Sequence, residues 1–275
     1  MSWLQVWVLA LVQGLTEFLP ISSAAHLILV PILTAWEDQG LAFDVAIHVG
    51  TLVAIVAYFR REVIVVTQGW FGQFSQLREW RAGRPAQISR EAMLGWAVIL
   101  GTIPAGLAGL LFSGAIELHL RDAIVIAVTS IVFGLLLLYA DLRARGARSE
   151  YELRWIDIVL IGLAQALALI PGTSRSGATM TAALLLGFSR TAAARYSFLL
   201  AIPIIALAGA YQTVKLLGAP PETVRWDQLA LGAVVAGVSA WLAVHYFLRF
   251  IERIGMWPFV VYRIALGVVL LWLFL

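Results

Sequence analysis

The sequence predicts an all-α fold of membrane-spanning helices, and three observations carry that expectation. Of 275 residues, 61% are hydrophobic and only 13% charged, with a mean hydropathy of +0.91. Soluble domains carry about a quarter charged residues, so this composition belongs to an integral membrane protein. Six stretches are apolar over the length of a bilayer span, and two further hydrophobic regions are each broken in the middle by proline and small polar residues. The length allows one helical bundle, residues 1–275, and no separate soluble domain.

Taken in order, the region 3–35 is apolar but interrupted at Leu19-Pro20-Ile21-Ser22-Ser23. Full spans follow at about 41–59, 93–113 and 123–139. The region 155–188 is apolar again and interrupted at Pro171-Gly172, and spans at about 196–214, 227–247 and 258–275 complete the chain. Each interrupted region reads as two half-spans that enter and leave by the same face, a re-entrant helical hairpin. Such backbone is tolerated at membrane depth only where protein or a water-filled cavity surrounds it. Between them, roughly 60–92 includes an amphipathic helix on the membrane surface or a solvated basic loop. The N-terminus lacks the basic region of a cleavable signal and reads as mature protein.

The two interruptions resemble each other. Gln13-Gly14-Leu15 precedes the first and Gln165-Ala166-Leu167 the second, and three full spans follow each. An odd number of spans per half inverts the second half, giving inverted repeats over about 1–140 and 150–275 with a site at their junction. Arginine placement fits: segments 60–92, 140–154, 189–195 and 248–257 hold fourteen Arg, whereas the opposite loops hold Arg121, Lys215 and Arg225. By the positive-inside rule the fourteen are cytoplasmic and both termini face outward.

The chemistry gathers at the interruptions. PGTSRSGAT (171–179) sets Arg175 among Thr173, Ser174, Ser176, Gly177 and Thr179, and a charge between two apolar runs marks a functional site. The N–H groups of residues 173–177 at a helix start, beside Arg175, suit an anion such as phosphate. In the first interruption Gln13 and Glu17 are four apart and share a helix face; together they offer oxygen ligands for a hard cation, Mg²⁺ or Ca²⁺. Ser23 and His26 also share a face, as nucleophile and base, or with His26 attacking or shuttling protons. Each feature alone has an ordinary reading, as a helix cap or a hydrogen-bonded core histidine. Their joint occurrence points to phosphoryl transfer on a lipid-linked phosphate, with Arg175 stabilising the transition state. Arg263 within the last span is expected to pair with an acid or to reach the diphosphate. Asp44 and His48, four apart near the outer end of a span, either line the cavity entrance or, as their interfacial position favours, play no part in it, and Asp157 reads as a helix N-terminal acid. The absence of cysteine removes disulfides and thiolate chemistry, and a net charge of +3 without a basic run removes nucleic acid as a partner.

EFLPISSAAH (17–26), with Gln13 before it, resembles the first signature of the undecaprenyl-diphosphate phosphatase or bacitracin-resistance family, and PGTSRSGAT resembles the second. FSRTAAARYSFLLAIP (188–203) and FVVYRIALG (259–267) are similar to further family segments. The resemblance implies hydrolysis of undecaprenyl diphosphate to undecaprenyl phosphate and inorganic phosphate in the bacterial inner membrane, which recycles the carrier for peptidoglycan and counters bacitracin. It maps functional roles onto Gln13, Glu17, Ser23, His26, Ser174, Arg175 and Thr179, and leaves the nucleophile as Ser23 or His26. Position 13 is Glu or Gln in the family; Gln here removes one negative charge from the cation site. A second copy of the chain is admitted as a partner. The rival expectation is a polyprenyl-phosphate transporter or flippase that carries the lipid without hydrolysis, since broken helices meeting at midmembrane are also transporter architecture.

Overall fold

A computed structural model describes residues 1–81, 88–120, 122–144, 146–217 and 225–275. The described residues form eleven α-helices and one 3₁₀ turn, with no strand. Arg84, Arg121 and Arg145, which entered the charge count above, lie outside them.

Six helices contain windows long and apolar enough to cross a membrane: α3 (Leu41–Tyr58), α5 (Arg90–His119), α6 (Ala123–Arg143), α9 (Arg190–Leu217), α10 (Trp226–Ile254) and α11 (Trp257–Phe274). All six expected spans are therefore helices. The chain is thus a multi-pass membrane protein. Four helices are shorter: α1 (Trp3–Thr16), α2 (Ser23–Thr34), α7 (Trp155–Leu167) and α8 (Arg175–Leu185). At 1.5 Å per residue, 11 to 14 residues reach only about 17–21 Å, short of a hydrocarbon core of about 30 Å. The basic segment after α3 is one helix, α4 (Arg60–Arg81), which packs on α5 rather than forming a loop.

Helix starts follow local chemistry. Ser2 and Gln5 form a reciprocal capping box at α1, and Asp122 accepts the Ile124 N–H at α6. Asp157 sits in the first turn of α7, accepting the Arg154 N–H at 2.8 Å and pairing with the Arg148 and Arg154 side chains, as an N-terminal acid should.

Packing places α1 on α10 and α7 on α5, α3 on both α10 and α9, and α6 on α11. The largest buried cluster centres on Phe18, Phe59, Phe188 and Phe198, with Tyr196 donating its hydroxyl to the Ala97 carbonyl at 2.9 Å. Outward faces carry Leu107, Leu110, Leu111, Val234 and Trp272, all exposed. Large side chains on the outside and polar ones inside are what lipid requires, since association there rests on packing and hydrogen bonds rather than on escape from water.

The arginine-rich segments meet at one end of the bundle. Arg195 pairs with Glu62 at 3.0 Å and with Glu150 at 2.5 Å, Arg190 with Asp141 at 2.6 Å, and the Thr191 N–H donates to Glu252 at 2.8 Å. Gln228 donates to the Met1 carbonyl at 2.9 Å, joining the chain start to the first turn of α10.

Candidate active site

Proline ends the outgoing helix at both interruptions. α1 stops at Thr16, four residues before Pro20, and α7 stops at Leu167, four before Pro171. A proline offers no N–H to the carbonyl four residues earlier, and its ring crowds that carbonyl. Each return helix then starts behind a serine with left-handed backbone, Ser22 at φ 72° and Ser174 at φ 70°. That conformation costs a residue bearing a Cβ roughly 1–2 kcal/mol. Ser174 offsets part of the cost by capping α8, its Oγ accepting the Gly177 N–H at 3.2 Å. Ser22 makes no side-chain cap, so its strain is held by the surroundings. Gly172, at φ 88°, fits between them because a Cβ there would strike the Thr129 hydroxyl and the Ile126 carbonyl.

Side chains bind the two interruptions together. Ser176 Oγ donates to the Leu19 carbonyl at 2.8 Å. Arg263 is fully buried and donates to carbonyls on three sides: Pro20 at 3.2 Å, Ser130 at 3.2 Å, Gly172 at 2.8 Å and Thr173 at 2.9 Å. It comes so close that a Cβ on Gly177 would lie 2.7 Å from its Nη1. Of the two expectations for Arg263 the acid partner is thereby corrected, since its hydrogen bonds go to backbone carbonyls. Carbonyl dipoles left without N–H partners at two chain breaks take the place of a carboxylate.

Between the interruptions lies a cavity of about 220 Å³, lined by Glu17, Ser22, Ser23, His48, Ser174 and Arg175, with an apolar wall from Ile204, Ile205 and Ala208. Glu17, 8% exposed, is its anionic centre. Glu17 Oε2 accepts Ser23 Oγ at 2.6 Å and Gln13 Nε2 at 3.0 Å, and Glu17 Oε1 accepts Arg175 Nη2 at 3.2 Å. Arg175 also donates to the Ser197 carbonyl at 3.3 Å, and its guanidinium lies 5.8 Å from the Phe18 ring centre. The acid and the cation expected at the two interruptions therefore meet, 158 residues apart in sequence.

The serine–histidine pairing does not form in this structure. His26 Nδ1 faces the Ser22 carbonyl at 2.7 Å and its Nε2 meets the Tyr262 hydroxyl at 2.5 Å, with the two rings stacked. A carbonyl only accepts, so Nδ1 carries the hydrogen and Nε2 accepts from Tyr262. His26 does not line the cavity, and Ser23 turns to Glu17 instead.

The remaining expected residues support the second interruption. Thr179 Oγ1 meets Ser197 Oγ at 2.7 Å and donates to the Arg175 carbonyl at 2.9 Å, and Ser174 Oγ meets Ser176 Oγ at 3.2 Å. Of the five N–H groups expected to face an anion, that of Thr173 donates to the Ile170 carbonyl at 3.2 Å and that of Gly177 to Ser174 Oγ. Thr173 Oγ1, Gln13 Oε1 and Gln165 Oε1 are buried without a hydrogen-bond partner.

Two contributors, Tyr262 and Ser197, are not singled out by any local pattern, although each lies in one of the family-like segments. For His48, four residues after Asp44 on α3, the structure favours the cavity over the interface, its Nε2 4.0 Å from Glu17 Oε2.

Known proteins are similar to this chain along its whole length. A protein of Thioalkalivibrio sulfidiphilus named undecaprenyl-diphosphatase is 60% identical over 274 residues, covering 100% of both chains. Undecaprenyl-diphosphatase 2 of Stutzerimonas stutzeri is 57% identical, covering 100% of this chain and 99% of its own. The undecaprenyl-diphosphatase of Nitrosococcus oceani is 53% identical over the full length of both. The pattern of the bacitracin resistance protein BacA family matches residues 6–269, nearly the whole chain and every residue of the cavity, and the chain belongs to that family.

Proposed function

We propose that this protein hydrolyses undecaprenyl diphosphate to undecaprenyl phosphate and inorganic phosphate, recycling the carrier for envelope polymers and conferring bacitracin resistance. The observation that carries the proposal is the convergence of Glu17 and Ser23 with Arg175 in one cavity open to an apolar wall. Arg175 binds the anionic oxygens and, with Ser174 and Thr173, stabilises the charge that develops as the bridging bond breaks. Ser176, Gly177 and Thr179 hold that arrangement in place. The attack comes through Ser23 or His26, directly or by way of water. Of the two only Ser23 lines the cavity, where its hydroxyl donates to the Glu17 carboxylate beside the place an attacking water would take, whereas both ring nitrogens of His26 are engaged.

A divalent cation, Mg²⁺ or Ca²⁺, fits the same group. Gln13 Oε1 is a buried acceptor with no donor, and its amide lies against the Glu17 carboxylate through Nε2, so the two residues supply hard oxygens to either ion once that amide turns over. Gln13 and Glu17 would hold it, and when bound it would neutralise diphosphate charge. Ligation by Glu17 would compete with the hydrogen bonds from Gln13 and Ser23, so cation affinity is expected to be modest.

The architecture that goes with this function has α1–α2 and α7–α8 as re-entrant hairpins in inverted repeats, about 1–140 and 150–275. Two features support it. The packing exchanges as a two-fold relation requires, α1 on α10 answering α7 on α5. The arginine-rich segments gather at one end, as cytoplasmic segments of an inner-membrane protein would, with both termini at the outer face.

The test is phosphate release from a polyprenyl diphosphate in detergent, with and without EDTA, for wild type and the Arg175→Ala, Glu17→Ala and His26→Ala variants. Chelator-sensitive release that the variants lose while still folded supports the assignment. Folded wild type that binds the lipid through Arg175 and releases nothing would make the protein a carrier.

A further inference from the structure

We infer that His48, on α3, is a further catalytic residue, and that it holds the attacking water between its Nε2 and the Glu17 carboxylate. The inference rests on the hydrolase reading above. Its geometric basis is the difference between two histidines. His26 is committed at both nitrogens and lies outside the cavity. His48 is fixed at one nitrogen only: Nδ1 faces the Asp44 carbonyl at 2.7 Å and so carries the hydrogen, leaving Nε2 to face the cavity. No hydrogen bond joins Nε2 to Glu17, since 4.0 Å is too far.

That gap has the dimensions of a water site. A water about 2.8 Å from each of two acceptors 4.0 Å apart subtends an angle of roughly 90°, near its own hydrogen-bonding angle. Both of its hydrogens then point at protein and its lone pairs point into the cavity. Gln13 and Ser23 already donate to Glu17 Oε2 and Arg175 to Oε1, so of about four acceptor positions on the carboxylate the free one is on Oε1, and the water bonds there or takes the place of one donor on Oε2. The neighbouring Arg175 guanidinium gathers the terminal phosphate beside this notch. Orientation of this kind raises rate without any proton having to move in advance.

The step balances without a co-reactant. The water oxygen forms a bond to the terminal phosphorus as the bridging P–O bond breaks, and that electron pair leaves on the prenyl phosphate. Both water hydrogens end on the inorganic phosphate, so a trianionic diphosphate gives a prenyl phosphate dianion and H₂PO₄⁻.

The experiment measures kcat and KM for phosphate release by His48→Ala and His48→Gln across a range of Mg²⁺ or Ca²⁺ concentrations, with thermal melting to verify folding. His48→Ala is expected to lose about tenfold or more in kcat with KM within about twofold. His48→Gln, whose side-chain oxygen also accepts a hydrogen bond, is expected to recover to within about threefold of wild type. The inference is overturned if kcat of His48→Ala stays within twofold of wild type, or if Gln is as impaired as Ala. It is equally overturned if added cation restores His48→Ala, or if a phosphorylated Ser23 is trapped. Wild type that releases no phosphate would instead remove the hydrolase assignment itself.

Discussion

The two interruptions share a backbone and divide the chemistry between them. Ser22 lies nine positions after Gln13, and Ser174 nine positions after Gln165. Both glutamines are buried with an unpartnered Oε1, and both serines are left-handed. At the position four residues after each glutamine the first has Glu17 and the second Leu169, and immediately after each serine the first has Ser23 and the second Arg175. A repeated turn thus brings two strained chain breaks face to face, and substitution at two positions makes one the acid and hydroxyl partner and the other the cation.

The largest expected effect breaks that division. Arg175→Ala and Glu17→Ala should each lower kcat of phosphate release by about 10²-fold or more, since each removes a charge from a cavity of low dielectric. If either change costs less than tenfold, the complementary pair is not the reacting centre. Next is the hinge unique to the second interruption. Gly172→Ala puts a Cβ against Thr129 and Ile126 at positive φ, and should destabilise the protein by about 1–3 kcal/mol, read as a lowered melting temperature in detergent. The smallest effect sharpens the comparison between the serines. Ser22→Gly relieves backbone strain without losing a cap and should leave melting unchanged or raised by up to about 1 kcal/mol equivalent. Ser174→Gly relieves the same strain but loses the bond to Gly177, and its melting should fall below that of Ser22→Gly. Equal melting for the two would mean that the Ser174 cap contributes nothing. Sidedness can be tested separately: in a chain without cysteine, a single Ser2→Cys should react with an impermeant thiol reagent from the periplasm and Arg143→Cys should not.

Much of this was legible in the sequence because membrane constraints are one-dimensional. Span length, the prolines at 20 and 171 and the isolated Arg175 are properties of short windows, and each maps to a helix, a helix end or the cavity. What was not legible depends on which faces meet. Arg263 and Pro20 are 243 residues apart, and nothing near either announces that carbonyls rather than an acid will receive the guanidinium. His26 and His48 have similar neighbourhoods in sequence, and only the placement of Tyr262 against one and Glu17 against the other separates them. Ring orientation is a tertiary property, so spacing gave Ser23 and His26 a common face without giving them a common partner.

The carbonyl ligation of Arg263 has a consequence for product release. Dipoles solvate a cation without cancelling its charge, whereas Glu17 cancels only that of Arg175. The junction of the two breaks therefore keeps an uncompensated positive charge behind the cavity. A diphosphate brings about three negative charges to it and each product about one or two, so attraction weakens as the bond is cut. On the hydrolase reading that charge should favour the diphosphate over either product, and Arg263→Gln, which removes it, should narrow the gap between diphosphate affinity and monophosphate inhibition.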